Sequence, residues 1–249
     1  MSAQTRLRVV TFNVRHAAPK DSYDGLPEKL AESCAALDAD ILALQEVDVG
    51  VPRSQKADLA KVAADACGMS YYFAKARQHA YRGKYGNALL VRGKISDVEV
   101  VKLSGDHRHI VRLGPLVLKP FREPRNAIIA TVTIGAARLS VGTGHFAADR
   151  AARHTQLTTA AARLVQRAAP QILLGDFNVP WPQAAEWLQP YDLVLAEARL
   201  DPALRRGIDH VAVRGLDVTH VETRWLPVSD HPAKIVELEI AQDKPAALR

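Results

Sequence analysis

The sequence predicts an α/β fold in which β-sheets pack into a sandwich and helices cover them. Three observations carry this prediction. Runs rich in Val, Ile and Leu recur along nearly the whole chain, at residues 7–14, 41–44, 71–73, 88–91, 98–101, 127–134, 139–142, 172–174, 208–213, 218–221 and 233–238, and runs of that length and composition read as strands. Only three segments place apolar residues at helical spacing. The runs 127–134 and 139–142 meet across Gly135-Ala136-Ala137, a hairpin that a strictly alternating strand–helix order does not use.

Taken in chain order, the first strand closes on Thr11-Phe12-Asn13-Val14. The first helix carries Leu26, Leu30, Cys34 and Leu37 along one face. Strand 41–44 runs into Gln45-Glu46, and a second helix carries Leu59, Val62, Ala63 and Ala66. Strand 71–73 follows, then 88–91, entered through Tyr85-Gly86-Asn87, then 98–101 and the hairpin, whose second arm leads into Gly144-His145. The third helix carries Leu157, Ala161, Leu164, Val165 and Ala168, and strand 172–174 ends in Gly175-Asp176-Phe177-Asn178. Asp209 opens the run 208–213, strand 218–221 follows, and Asp230-His231 precede the last strand.

With 249 residues, 48% of them hydrophobic and 24% charged, the chain is neither a disordered tail nor a collagen-like fibre nor a disulfide miniprotein. A net charge of +6 favours an anionic partner such as nucleic acid, a phosphorylated metabolite or an acidic lipid surface. Cys34 and Cys67 form no CxxC pair and have no His pair beside them, so they are expected to be structural thiols. The N-terminus runs directly into a strand with no signal-peptide pattern, and no stretch is apolar enough to span a bilayer. The expected location is cytoplasmic, with no stable membrane association. No Gly/Ser-rich linker interrupts the chain, so one domain is expected over 1–249, with its core at about 6–240 and a fraying tail at 242–249.

The polar residues named above share one kind of position, the end of a buried strand. An unpaired buried carboxylate costs roughly several kcal/mol, so something positive is expected to meet these acids. A hard cation such as Mg²⁺ takes oxygen ligands from one or two carboxylates and completes its shell with water and substrate phosphate oxygens. Glu46, Asp176 and Asp230 could supply that charge, while Asn13 and Asn178 could hold a ligand or phosphate without adding any. A histidine with an acid partner works as acid or base near neutral pH, and His231 with Asp209 suits that pairing. Taken singly, each residue has an ordinary role: a turn-capping Asp, a surface ion pair for Glu46, a hydrogen-bonded interior histidine. Six coincidences at strand ends favour a shared site.

The motifs run in order from Thr11-Phe12-Asn13-Val14 through Leu44-Gln45-Glu46-Val47-Asp48, Tyr85-Gly86-Asn87-Ala88-Leu89-Leu90, Gly144-His145-Phe146, Gly175-Asp176-Phe177-Asn178 and Ile208-Asp209-His210-Val211 to Ser229-Asp230-His231-Pro232. This series resembles the endonuclease/exonuclease/phosphatase superfamily. The resemblance implies a deoxyribonuclease-I-like, four-layered αββα sandwich of two mixed β-sheets flanked by helices, with the site at one rim. It also implies divalent-metal hydrolysis of phosphoesters, with Mg²⁺ as cofactor and Mn²⁺ a possible substitute. Glu46 would be the principal metal ligand, with Asn13 and Asp230 nearby; Asp176 and Asn178 would position the attacking water and phosphate; His145 would face the phosphate or leaving group; and Asp209 would orient His231. Either Asp176 or His231 could take the proton from water.

Asn87, Arg125 and Trp181 are the substrate-contact candidates. Arg53, Arg82, Lys84, Arg122, Arg125, Arg205 and Arg206 fall in expected loops, where they could follow a phosphate backbone, and Arg125, just ahead of a strand, is the phosphate-clamp candidate. His107-Arg108-His109 form a polar loop cluster that either contacts substrate or is plainly solvated. Trp181 either stacks on a base or packs its loop between Pro180 and Pro182. The leading expectation is a Mg²⁺-dependent phosphodiesterase acting on nucleic acid as endo- or exonuclease. The rivals are a phosphodiesterase or phosphatase of a phospholipid or small phosphorylated metabolite, and a non-catalytic binding protein on the same fold.

Overall fold

A computed structural model describes residues 6–79, 82–104, 112–113, 116–117, 123–199 and 207–240. In chain order the elements are β1 (Arg6–Asn13), α1 (Pro27–Ala35), β2 (Ile41–Val49), α2 (Leu59–Cys67), β3 (Ser70–Gln78), β4 (Lys84–Val91) and β5 (Lys94–Leu103). Two-residue strands β6 (Arg112–Leu113) and β7 (Leu116–Val117) pair with each other, and then come β8 (Arg125–Ile134), β9 (Ala137–His145), α3 (Arg150–Val165), β10 (Gln171–Asp176) and α4 (Trp181–Leu188). The chain continues with β11 (Val194–Leu195), β12 (Asp209–Arg214), β13 (Asp217–Arg224) and β14 (Ala233–Glu239).

These strands form two six-stranded sheets, ordered β13-β14-β1-β2-β4-β3 and β11-β12-β10-β9-β8-β5. Both are mixed: β1 and β2 run parallel in the first, β9 and β10 in the second, and the remaining neighbours are antiparallel. Each parallel pair is joined through a helix, α1 or α3, as a parallel connection requires. The two sheets close on a shared core that includes Val9, Ile41, Leu89, Ile128, Val141, Leu174, Val211 and Val236. A second apolar layer seats α1 and α2 on the first sheet through Leu30, Leu59, Leu42 and Leu90, and a third seats α3 and α4 on the second through Leu157, Leu188, Ile129 and Leu173. Strand alternation produces these layers: Val10 and Phe12 of β1 face the helices, while Leu7 and Val9 face the other sheet.

The structure extends the sequence reading in four places. Helix α3 begins at Arg150, earlier than its apolar stripe, because Asp149 caps it by accepting from the Ala152 N–H. Trp181 opens a helix, α4, whose prolines fall at its first positions, where a proline is tolerated. Strand β2 runs on to Val49 through a bulge between Leu44 and Val47. The hairpin turns at Gly135, φ +57°, with Ile134 paired to Ala137. His107, Arg108, His109, Arg122, Arg205, Arg206 and the tail 242–249 lie outside the described residues.

Candidate active site

The carboxyl ends of the two parallel strand pairs converge on one rim between the sheets. In the first sheet Asn13 ends β1 beside Gln45 of β2; in the second His145 ends β9 beside Asp176, which ends β10. Open α/β sheets bind ligands outside the carboxyl ends of their strands, and here two such ends face each other. Gly144 and Gly175 pair just before His145 and Asp176. A Cβ on Gly175, φ +152°, would stand 2.1 Å from the Gly144 carbonyl oxygen, so only glycine lets the strands approach this closely.

Asn13 joins the sheets chemically. Its Nδ2 donates to Glu46 Oε1 and to Asp176 Oδ2, each at 3.1 Å. Glu46 reaches this position from the bulge in β2, with φ +58°, a left-handed conformation that costs on the order of 1 kcal/mol or more and that is typically retained where function requires it. Asp176 Oδ1 accepts from the Asn178 N–H at 2.9 Å, and His145 Nε2 lies 3.3 Å from Oδ2. Asn178, φ +53°, donates from its amide to the Phe146 carbonyl at 2.8 Å, while its own carbonyl accepts from Arg153. From the loop ahead of β14, His231 Nδ1 meets Asp209 Oδ2 at 2.9 Å. That loop is pinned by Ser229, whose hydroxyl donates to the Asn13 carbonyl at 2.6 Å and accepts from the His231 N–H at 3.0 Å.

The electrostatics sort these groups. Burial pushes the Asp176 carboxyl up, the Asp209 charge adds to that, and His231 with the Asn13 and Asn178 donors pulls against it. Burial holds His145 neutral, well below the ordinary histidine range, helped by Arg125 and His231. Burial also disfavours charge on His231, but the Asp209 hydrogen bond and charge, with Asp176 and Asp230, outweigh it and raise His231 to about 9. Glu46, partly open at the rim, is pushed up by burial, which outweighs the Asn13 amide and the Arg125 and His231 charges.

A divalent cation fits this donor set. Glu46 is a carboxylate held at the rim by the Asn13 amide, and Asp209 Oδ1 is buried with no hydrogen-bond partner among the described residues. Among the described residues, Asp176, Asp209 and His231 place ligand atoms within 4.8 Å of one another. Asp230 stands apart: its carboxylate, 40% exposed, faces Arg15 Nε at 3.5 Å.

The substrate-contact candidates separate. Asn87 donates from its amide to the backbone carbonyl and side-chain oxygen of Asn126, both at 3.1 Å, across the mouth of the sandwich. The Arg125 guanidinium, 8% exposed, pairs with Glu123 at 2.9 Å and contributes to the field on Glu46 and His145. Trp181, the first residue of α4, is half-buried and packs against the outer layer. Arg53 is not a free loop cation; it grips the fully buried Asp48 at 2.7 and 3.0 Å.

Several residues of the rim escaped the sequence reading. Arg15 lies past the end of β1 in left-handed backbone, and Asp48 lies just beyond the β2 bulge, so neither follows from strand alternation. Asn126, which accepts from the Asn87 amide, and Arg153, which donates to the Asn178 carbonyl, carry no motif, while Ser229 stands in the Ser229-Asp230-His231 series with no role expected of it.

The comparisons with known proteins place this geometry. The model of the endonuclease/exonuclease/phosphatase family matches residues 10–231. The chain belongs to that family. Its members are phosphoric ester hydrolases that generally depend on a divalent metal, and this chain is one of them. Among solved structures, an endonuclease/exonuclease/phosphatase from Beutenbergia cavernae superposes with a TM-score of 0.71 at 17% identity, over 95% of this chain and 72% of that one. A mannosyl-6-phosphatase from Bacteroides thetaiotaomicron gives 0.67 at 18%, over 93% and 99%. The human nocturnin catalytic domain gives 0.68 at 18%, over 96% and 97%. These likenesses establish the shared four-layered, deoxyribonuclease-I-like fold. No curated protein sequence matches the chain.

Proposed function

We propose that this family member is a Mg²⁺-dependent phosphodiesterase of nucleic acid. The observation that carries the chemistry is the Asn13 amide shared by Glu46 and Asp176, with the His231–Asp209 pair beside it. Glu46 would be the principal holder of the metal, with Asn13 and Asp230 nearby. A bound Mg²⁺ would neutralise charge gathering on the phosphoryl oxygens.

Asp176, whose buried carboxyl is raised toward neutrality, takes the proton from the attacking water. The Asn178 N–H fixes the Asp176 carboxylate while the Asn178 side chain ties the loop to Phe146. His231, kept charged by Asp209, stabilises the developing phosphoryl charge. Neutral His145, its Nε2 3.3 Å from Asp176 Oδ2, holds that carboxylate against the phosphate side. Asn87 and Arg125 complete the wall around Glu46.

Nucleic acid as substrate rests on charge. The net charge is +6, and Lys75, Arg82 and Lys84 stand exposed along β3, β4 and their connection, one strand from Glu46. No helix among the described residues is long and apolar enough to cross a membrane, and the two cysteines are free, in keeping with a cytoplasmic home. The test is a panel of single-stranded RNA, plasmid DNA, a sphingomyelin-type lipid, nucleotide and sugar monoesters and bis-p-nitrophenyl phosphate, each with Mg²⁺ or chelator. Cleavage of a nucleic acid above the small esters supports the proposal, and turnover confined to monoesters or lipid overturns it.

A further inference from the structure

The connection between β1 and α1 is built to hold one aromatic ring in the open. It leaves Asn13 through three successive non-glycine residues in left-handed backbone, Arg15, His16 and Ala17 at φ +43°, +48° and +64°, a sequence of conformations that L-residues avoid and that folds retain where a site requires them. Arg15 then gathers the loop, donating to the carbonyls of Pro19, Lys20 and Ser22. Gly25 closes it against the turn at 52–54, where a Cβ would stand 2.4 Å from the His16 carbonyl oxygen.

Tyr23 lies at the top of this loop and is 64% exposed. An exposed tyrosine ordinarily samples several rotamers, yet this one is fastened on three sides. Arg53 Nη1 donates to its hydroxyl at 2.9 Å. Its carbonyl accepts from His16 Nε2 at 3.2 Å, and the His16 ring stands 5.1 Å from its own. Arg53 is itself immobilised by the buried Asp48 and lies between two rings, 5.4 Å from that of Tyr23 and 5.9 Å from that of Tyr85. Tyr85 adjoins the centre, where the Glu46 charge acts on its hydroxyl. A continuous path of fixed groups, Tyr23, Arg53 and Tyr85, thus runs from the outer loop to Glu46.

We infer that Tyr23 is a stacking platform for an aromatic base of the substrate, flanking the phosphate that is cleaved. Holding the ring in place before binding removes the entropy of ordering it. Arg53, its charge met by the buried Asp48, serves as the brace that holds the ring in place. The inference rests on the nucleic-acid reading and deepens it.

The test uses the intact protein with Mg²⁺ and two single-stranded oligomers of equal length, one carrying bases and one with base-free sugars. The wild type is expected to favour the base-bearing oligomer in kcat/KM by about tenfold, within the five- to hundredfold range that one base stack provides. Tyr23→Ala should abolish that preference through KM, and Tyr23→Phe should keep most of it because the ring remains. Circular dichroism of each variant checks the fold. A preference that survives Tyr23→Ala, an equal loss on both oligomers, or a wild type without preference overturns the platform while leaving nuclease activity standing. A wild type that hydrolyses bis-p-nitrophenyl phosphate but neither oligomer overturns the nucleic-acid reading itself, and the platform with it.

Discussion

His231 Nδ1 lies 2.9 Å from Asp209 Oδ2 across the gap between the two sheets, His231 arriving from the loop before β14 and Asp209 from the start of β12. Neither partner reaches the other within its own sheet, so the pair exists only when the sandwich is closed. This pairing ties the charge state of the imidazole to the integrity of the fold.

If the pair acts as a unit, His231→Ala and Asp209→Ala each lower kcat by about 10² or more, a typical loss for a group that stabilises transition-state charge. The double variant should be little worse than the more damaging single. Kinetics of the three proteins, with thermal melts alongside, check this. Additive rate losses would show two independent roles.

The raised His231 pKa also sets a pH dependence of stability. Between the ordinary histidine value of about 6.5 and the folded value of about 9, the folded chain binds more protons than the unfolded one. Stability from this pair is therefore complete below that window and is lost as pH rises through it. In chelator, Tm should fall from pH 6.5 to 9, and His231→Ala should flatten the decline. An equal slope in the variant would locate the effect elsewhere.

A buried ion pair links the sheets behind the site. Lys234 Nζ of β14 donates to Glu197 Oε1 at 2.6 Å, both side chains almost fully enclosed, and Glu197 Oε2 has no hydrogen-bond partner. Lys234→Met strands a buried carboxylate and should destabilise by about 3–5 kcal/mol, whereas Lys234→Met with Glu197→Leu should recover most of the loss. Denaturant unfolding of both variants measures it.

Binding to nucleic acid should weaken steeply with salt. With Asp176→Asn to block turnover, the affinity for a single-stranded oligomer should fall with log salt at a slope of about −0.7 per phosphate engaged, and Lys84→Ala should reduce that slope by about one such unit. Anisotropy titrations at several salt concentrations report both. A flat response would favour a small substrate.

Most of the strands and three of the four helices were legible because their apolar periodicity is set by layers that bury one face each. What the sequence concealed lies where geometry departs from period. The β2 bulge that carries Glu46 breaks alternation, so that strand reads as ending at Leu44 although it runs to Val49. The polar first turns of α3 carry no stripe, and α4 hides behind Pro180 and Pro182. At the rim, the motif residues announced themselves as polar strand ends, and the acids from the two sheets meet there on one Asn13 amide. Arg153, which acts through the Asn178 backbone carbonyl, left no such trace, and Arg125, which sequence position suggested as a clamp, is already paired with Glu123.

The central claim is that Glu46 holds a divalent metal for phosphodiester hydrolysis. It is tested most directly by Mg²⁺ titration of the rate on bis-p-nitrophenyl phosphate, wild type against Glu46→Gln. The account predicts no turnover in chelator and saturable recovery for the wild type. For Glu46→Gln it predicts a rate lower by about 10² or more and a higher Mg²⁺ requirement. Because burial disfavours the carboxylate, the metal-free variant should melt no lower than the wild type. Turnover that persists in chelator, or a Glu46→Gln titration that overlays the wild type, would contradict the claim.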